Sequence, residues 1–213
     1  MTSEATARTL SARTIADEFG GGPPEAPATE PLISNAKLGV MMFIGAEVMF
    51  FAGLIGTFLV LRLSSDVWPP PSQPRLPVLV TGFNTVVLLA SGLSMHFALR
   101  AIRSNQRALL IKWLGVTGLL AVVFLGIQGY EWVRLIQFGL TMTSGLYGST
   151  FYALIGVHGL HVLGGLVWVG IVYGKAQCHR YSSGSMTGVE VCSMYWTFVV
   201  ALWPVLYVLV YLY

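Results

Sequence analysis

Glu47 is the side chain most able to do chemistry, because of where it stands. Leu38–Leu61 is apolar throughout and holds no other charged residue. An ionised carboxylate at that depth of a bilayer costs roughly 2.5–3.5 kcal/mol on insertion scales, so a partner, a proton or a function must offset it. Nine residues separate Glu47 from Lys37, roughly 14 Å at helical rise, which is too far for direct pairing. Two readings follow. Glu47 is a protonated carboxyl hydrogen-bonded to a neighbouring helix, or it is a proton-exchanging group facing a water-filled or partner-lined cleft.

His158 and His161 form the second candidate, an HGLH segment in an apolar stretch. A spacing of three puts both imidazoles on one helical face, as a metal site would require. Two histidines are too few for zinc, copper or haem. Further ligands would have to come from His96, Glu47 or Glu131, whose expected depths disagree. Hydrogen bonding between helices is therefore expected for both, and no metal site. Gln128 and Glu131 share a face further along, and Glu190 opens the last apolar run; the two glutamates are expected near interfaces as polar anchors or local ion pairs. Asn84 and His96 are polar points expected to bond to neighbouring helices. Cys178 and Cys192 match no metal spacing and read as unpaired thiols. There is no Ser/His/Asp constellation, phosphate-binding glycine loop or CxxC motif. The chain is expected to have no catalytic centre and no cofactor of its own.

Membrane-spanning helices must position these groups. The 213 residues are 55% hydrophobic and 10% charged, far from the quarter charged of a soluble domain. Five stretches approach or exceed the ~20 apolar residues needed to span: 38–61, 78–99, 113–136, 148–174 and 190–212. The expected architecture is all-α, an integral bundle of five transmembrane helices over 37–213. Residues 1–36, rich in Ala, Thr, Pro, Gly and Glu and without the basic start and apolar core of a signal peptide, read as a disordered tail. The proline-rich Trp68–Pro77 reads as a stiff cap between the first two spans. Small residues on the second span (Gly82, Ala90, Ser91, Gly92, Ser94) and the glycines of the fourth, ending in the Gly170–Gly174 GxxxG pair, predict close helix packing. Trp68, Trp113, Trp132 and Tyr147 fall near span ends, as an interfacial aromatic belt requires.

Lys37, Arg100, Arg103, Arg107, Lys112, Lys175 and Arg180 fall on one side, against Arg62, Arg75 and Arg134 on the other. Seven against three predicts a cytoplasmic N-terminus and an outer C-terminus. The net charge of +3 suits anionic lipid headgroups rather than nucleic acid, with Lys37, Arg100 and Arg103 as headgroup contacts.

Several blocks, in this order and spacing, resemble subunit III of the haem–copper respiratory oxidases over about Lys37 to Tyr213. Gly39–Gly53 (GVMMFIGAEVMFFAG) resembles that family's helix with the carbodiimide-reactive glutamate, which falls on Glu47. Trp68–Pro70 (WPP), Asn84–Ser94 (NTVVLLASGLS) and Ile127–Trp132 (IQGYEW) are similar, and Tyr147–Gly165 (YGSTFYALIGVHGLHVLGG) is the most specific.

The resemblance implies a non-catalytic accessory subunit of an oxygen-reducing, proton-pumping terminal oxidase in a bacterial cytoplasmic membrane. Haem and copper would lie in the partner catalytic subunit I, with subunit II as a further neighbour. The implied roles are holding phospholipid, stabilising the catalytic subunit during turnover, and supporting its proton uptake through Glu47. Longer members have seven helices, whereas five spans are read here. In the last helix Thr197 and Val200 replace the family's His and Asp, and Pro204 follows as an expected kink. A partner of a quinol oxidase or nitric oxide reductase remains an alternative, and so, outside the family, does a small proton or solute channel lined by Glu47.

Overall fold

The computed structural model describes residues 34–68, 70, 76–181 and 185–212. Most of the expected tail and most of the proline-rich segment lie outside the described residues. Five helices follow: α1 Asn35–Leu63, α2 Val78–Arg103, α3 Arg107–Gln137, α4 Leu146–Gln177 and α5 Thr187–Tyr207, the last continued by a π-helical turn over Val208–Leu212. Each is long and apolar enough to cross a membrane, α5 together with its π turn.

The helices overrun the apolar stretches that announce them. Asn35 and Ala36, expected in the tail, form the first turn of α1, because the Ser34 hydroxyl accepts the Lys37 backbone N–H and caps the helix. α3 begins at Arg107 rather than near 113, and α4 extends to Gln177. A helix persists through polar residues as it leaves the hydrocarbon layer, since its backbone bonds remain internal. At the end of α3 a Schellman closure stops it: Gly139 sits at φ +90°, and the Leu140 N–H donates to Leu135 O at 2.9 Å.

α2, α3, α4 and α5 close a ring in that order, with α5 returning to α2, and α1 leans on the outside of this ring against α4 and α5. The ring's interior carries the largest buried side chains, Trp196, Trp203, Phe124 and Phe151. α1 buries only Phe51 and Phe58. Apolar side chains therefore cover both the interior and the outer surface, the distribution required when lipid or another membrane protein is the solvent.

Close packing happens at particular glycines. A Cβ on Gly165 would meet the Trp196 ring at 2.9 Å, and one on Gly92 would meet Val200 Cγ1 at 3.0 Å. Gly170 and Gly174, expected to mark a tight contact, face open space: a Cβ on either would meet no neighbour within 4 Å. Their face of α4 points away from the ring, so small size there creates no contact. Pro204 sits inside α5 and removes one backbone donor; the helix passes into its π turn four residues later. Val200 is buried against Gly92, while Thr197 is exposed.

Candidate proton-exchange site

Glu47 projects from α1, the peripheral helix, about 18 Å along the axis from Asn35. Its Oε2 lies 2.9 Å from His161 Nε2 on α4. His161 Nδ1 is 2.8 Å from the carbonyl oxygen of Val157, one turn earlier on the same helix. That second contact fixes the proton count. A carbonyl can only accept, so Nδ1 carries hydrogen. In neutral His161 the lone pair is then on Nε2, and the Glu47 carboxyl must be the donor. If Nε2 is protonated instead, an imidazolium donates to a carboxylate. Both arrangements contain one proton between the two residues and the same total charge, so the pair can exchange that proton within the contact without exposing a net charge to lipid.

The surroundings hold the pair and leave it reachable. Phe51 packs edge-on against the His161 ring at 5.1 Å, and Phe50 lies 6.5 Å away. The Tyr195 hydroxyl donates to the His161 carbonyl at 3.3 Å. The side chains remain 16% exposed for Glu47 and 19% for His161, open enough for water or a neighbouring protein.

His158, one turn away, is placed differently. It is fully buried inside the ring, its two ring nitrogens have no hydrogen-bond partner, and it stacks on Trp203 at 5.0 Å with 27° between planes. The hydrogen bonding between helices expected of it does not occur, because at this position α4 meets an indole face rather than a polar group. Trp203 directs its own N–H to Thr85 Oγ1 at 2.9 Å. Among the described residues no three of His, Cys, Asp and Glu converge as a metal set.

The other candidates form two separate groups. At the C-terminal end of α3, the Gln128 amide donates to the Tyr211 hydroxyl at 3.3 Å, and Glu131 faces Arg134 at 4.0 Å. Glu131 is buried against the other helices, at 4% exposure, because the helix face it shares with Gln128 turns inward, and its contact with Arg134 is the local ion pair expected of it. Asn84 donates to Phe124 O at 3.0 Å across the α2–α3 contact, and His96 is exposed. At the opposite, basic end, Glu190 at the start of α5 binds Lys37 Nζ at 2.7 Å and Arg103 at 3.6 Å. Two side chains expected to contact headgroups thus converge on one buried carboxylate and tie α1 and α2 to α5. Arg100 has no such partner among the described residues. Cys178 and Cys192 are both free thiols.

His161 as Glu47's partner, Glu190 as a hub and Tyr211 as Gln128's partner are not singled out by sequence. Glu190 has one usable signal: among the described residues it is the sole acid at an end crowded with cations.

A multi-pass helical membrane protein with a half-buried acid–imidazole pair is the class that fold and site define. The family model described as cytochrome c oxidase subunit III matches residues 25–213. The chain is 41% identical to cytochrome c oxidase subunit 3 of Synechocystis sp., over 82% of this chain and 74% of that protein. It is 35% identical to the Bacillus subtilis protein of the same name, over 84% and 86%, and 35% identical to the human one, over 86% and 71%. The chain belongs to the cytochrome c oxidase subunit III family, and so to an oxidase complex of the respiratory chain.

Proposed function

We propose that this chain is a non-catalytic accessory subunit of a proton-pumping, oxygen-reducing terminal oxidase. It stabilises catalytic subunit I, holds phospholipid beside it, contacts subunit II, and supplies a proton-exchanging group near the uptake side. Haem and copper belong to the catalytic partner. The N-terminus lies on the cytoplasmic face of a bacterial inner membrane and the C-terminus outside, a placement supported by the excess of Lys and Arg at the α2–α3 and α4–α5 connections.

The observation that carries the proton role is the 2.9 Å Glu47–His161 contact with Nδ1 already engaged by Val157. A pair bound in this way retains a proton in lipid and can pass it on where water or subunit I touches its exposed edge. The test is carbodiimide labelling and turnover in the assembled oxidase. Glu47 labels, and Glu47→Gln shortens the turnover lifetime or slows proton uptake without loss of assembly. A fully assembled Glu47→Gln complex with unchanged uptake and lifetime would reduce the residue to packing.

A further inference from the structure

The Glu47–His161 pair joins α1 to α4, and α5 brings a further side chain to the same level that the proton exchange itself does not use. Tyr195 lies on α5, roughly two turns from its start. It is buried, at 7% exposure. Gly165 of α4 makes room for it: a Cβ there would meet Tyr195 Cε1 at 3.3 Å as well as the Trp196 ring. The missing side chain at 165 lets α5 bring a phenol this close to α4.

Tyr195 reaches both helices that carry the pair. On α4 its hydroxyl donates to the His161 carbonyl oxygen at 3.3 Å, and its ring lies 5.5 Å from that of Trp168. On α1 its ring meets Phe43 at 6.0 Å. Phe43 and Phe51 stand four residues before and after Glu47, so they flank it along one face of α1. Phe51 packs on the His161 ring and on Phe198 of α5, whereas Phe43 packs on Tyr195. The carboxyl is thus braced from both sides, with Tyr195 on the side towards Lys37 and Glu190.

The pair needs such a brace. α1 buries only Phe51 and Phe58, so apolar packing fixes its height and rotation weakly. A 2.9 Å hydrogen bond between two helices tolerates little play, because its strength falls steeply with angle and distance. The bond from His161 Nδ1 to Val157 O orients the imidazole but lies within α4, and it does not set where α4 stands against α1. We infer that Tyr195 is the positioning residue of the proton-exchange site. Its hydroxyl holds the His161 backbone and its ring holds Phe43, so that Glu47 Oε2 and His161 Nε2 stay at proton-sharing distance. The assignment rests on the proton role proposed above and gives that site its third member. Tyr195 acts through His161 and Phe43, not on the proton.

The experiment uses the intact, lipid-embedded oxidase. Tyr195→Phe removes the hydroxyl and keeps the ring against Phe43 and Trp168. ¹⁵N magnetic resonance of His161 and the rate of carbodiimide labelling at Glu47 read the pair, and thermal melting reads the fold. The Nε2 resonance shifts, labelling accelerates about fivefold, the factor that one net hydrogen bond supplies, and the melting midpoint stays near that of the wild type. Labelling accelerates because a carboxyl poorly matched to Nε2 keeps its own proton in apolar surroundings, the form that carbodiimide attacks. Tyr207→Phe is the control: it removes a hydroxyl that α5 donates to Val78 O at 3.0 Å, away from the pair, and leaves both readouts at wild-type values. Phe43→Leu, at an exposed position, removes the brace on α1 and moves both readouts as Tyr195→Phe does, which tests the positioning without touching the core. Wild-type Nε2 and labelling in Tyr195→Phe or in Phe43→Leu, or equal changes in Tyr207→Phe, would overturn the assignment. The proton role fails separately, through an assembled Glu47→Gln complex with unchanged uptake and lifetime.

Discussion

Replacing Glu47 by Gln and by Leu separates a hydrogen bond from a proton. In Glu47→Gln the amide N–H₂ stands where the carboxyl O–H stood and donates to the lone pair on His161 Nε2. His161 Nδ1 keeps Val157 O. One neutral hydrogen bond replaces another, and the stability change is about 0.5 kcal/mol or less. In Glu47→Leu, Nε2 loses its partner beside Phe50 and Phe51. An unsatisfied buried nitrogen costs about 1–3 kcal/mol, and the 19% exposure of His161 puts the expected loss near the lower end, about 1 kcal/mol. Thermal melting of the purified complex measures that difference, and proton uptake with turnover lifetime measures function. The expected pattern is a Gln variant that melts like the wild type yet is impaired in uptake or lifetime, and a Leu variant impaired in both. A Gln variant as unstable as the Leu variant would refute the assigned donor and acceptor roles. Two variants with wild-type uptake and lifetime would refute the exchanging proton.

Other perturbations follow from the packing. Gly165→Ala places a methyl 2.9 Å from the Trp196 ring and is expected to destabilise the bundle by about 1–3 kcal/mol in melting experiments. Gly174→Ala faces open space in a helix and is expected to be neutral or stabilising by up to about 1 kcal/mol. Glu190→Gln removes the charge shared by Lys37 and Arg103; with those cations 34% and 57% exposed, solvent limits the loss to about 1 kcal/mol, and proteolysis should show an α1 N-terminus that opens more readily. His158→Phe keeps a ring against Trp203 and removes two unpartnered nitrogens, so the melting midpoint is expected to stay level or rise.

The helices are legible because a run of about twenty apolar residues has few fates other than spanning a membrane, and each of the five runs lies within a helix. Glu47 is legible for the same reason: one carboxylate in a long apolar run stands out. Its partner is not. A spacing of three places His158 and His161 on neighbouring parts of α4, but about 100° of rotation per residue leaves them about 60° apart. That angle sends one ring to α1 and the other into the indole of Trp203, and it depends on where α1 docks. Gly170 and Gly174 mislead because GxxxG describes only one side of an interface, and here no described helix supplies the other. Distance along the helix places Glu131 near a span end, but its burial against other helices follows from the direction of the α3 face, which that distance does not give. Lys37 and Arg103 read as headgroup contacts, and only the tertiary approach of Glu190 shows where their charges are directed.

The most direct measurement is ¹⁵N magnetic resonance of His161 in the lipid-embedded complex, in wild type and Glu47→Gln. The expected spectrum has hydrogen on Nδ1 and an Nε2 resonance that changes when the carboxyl becomes an amide. An Nδ1 without hydrogen, or an Nε2 indifferent to Glu47→Gln, would contradict the shared proton on which the proposed proton role is built.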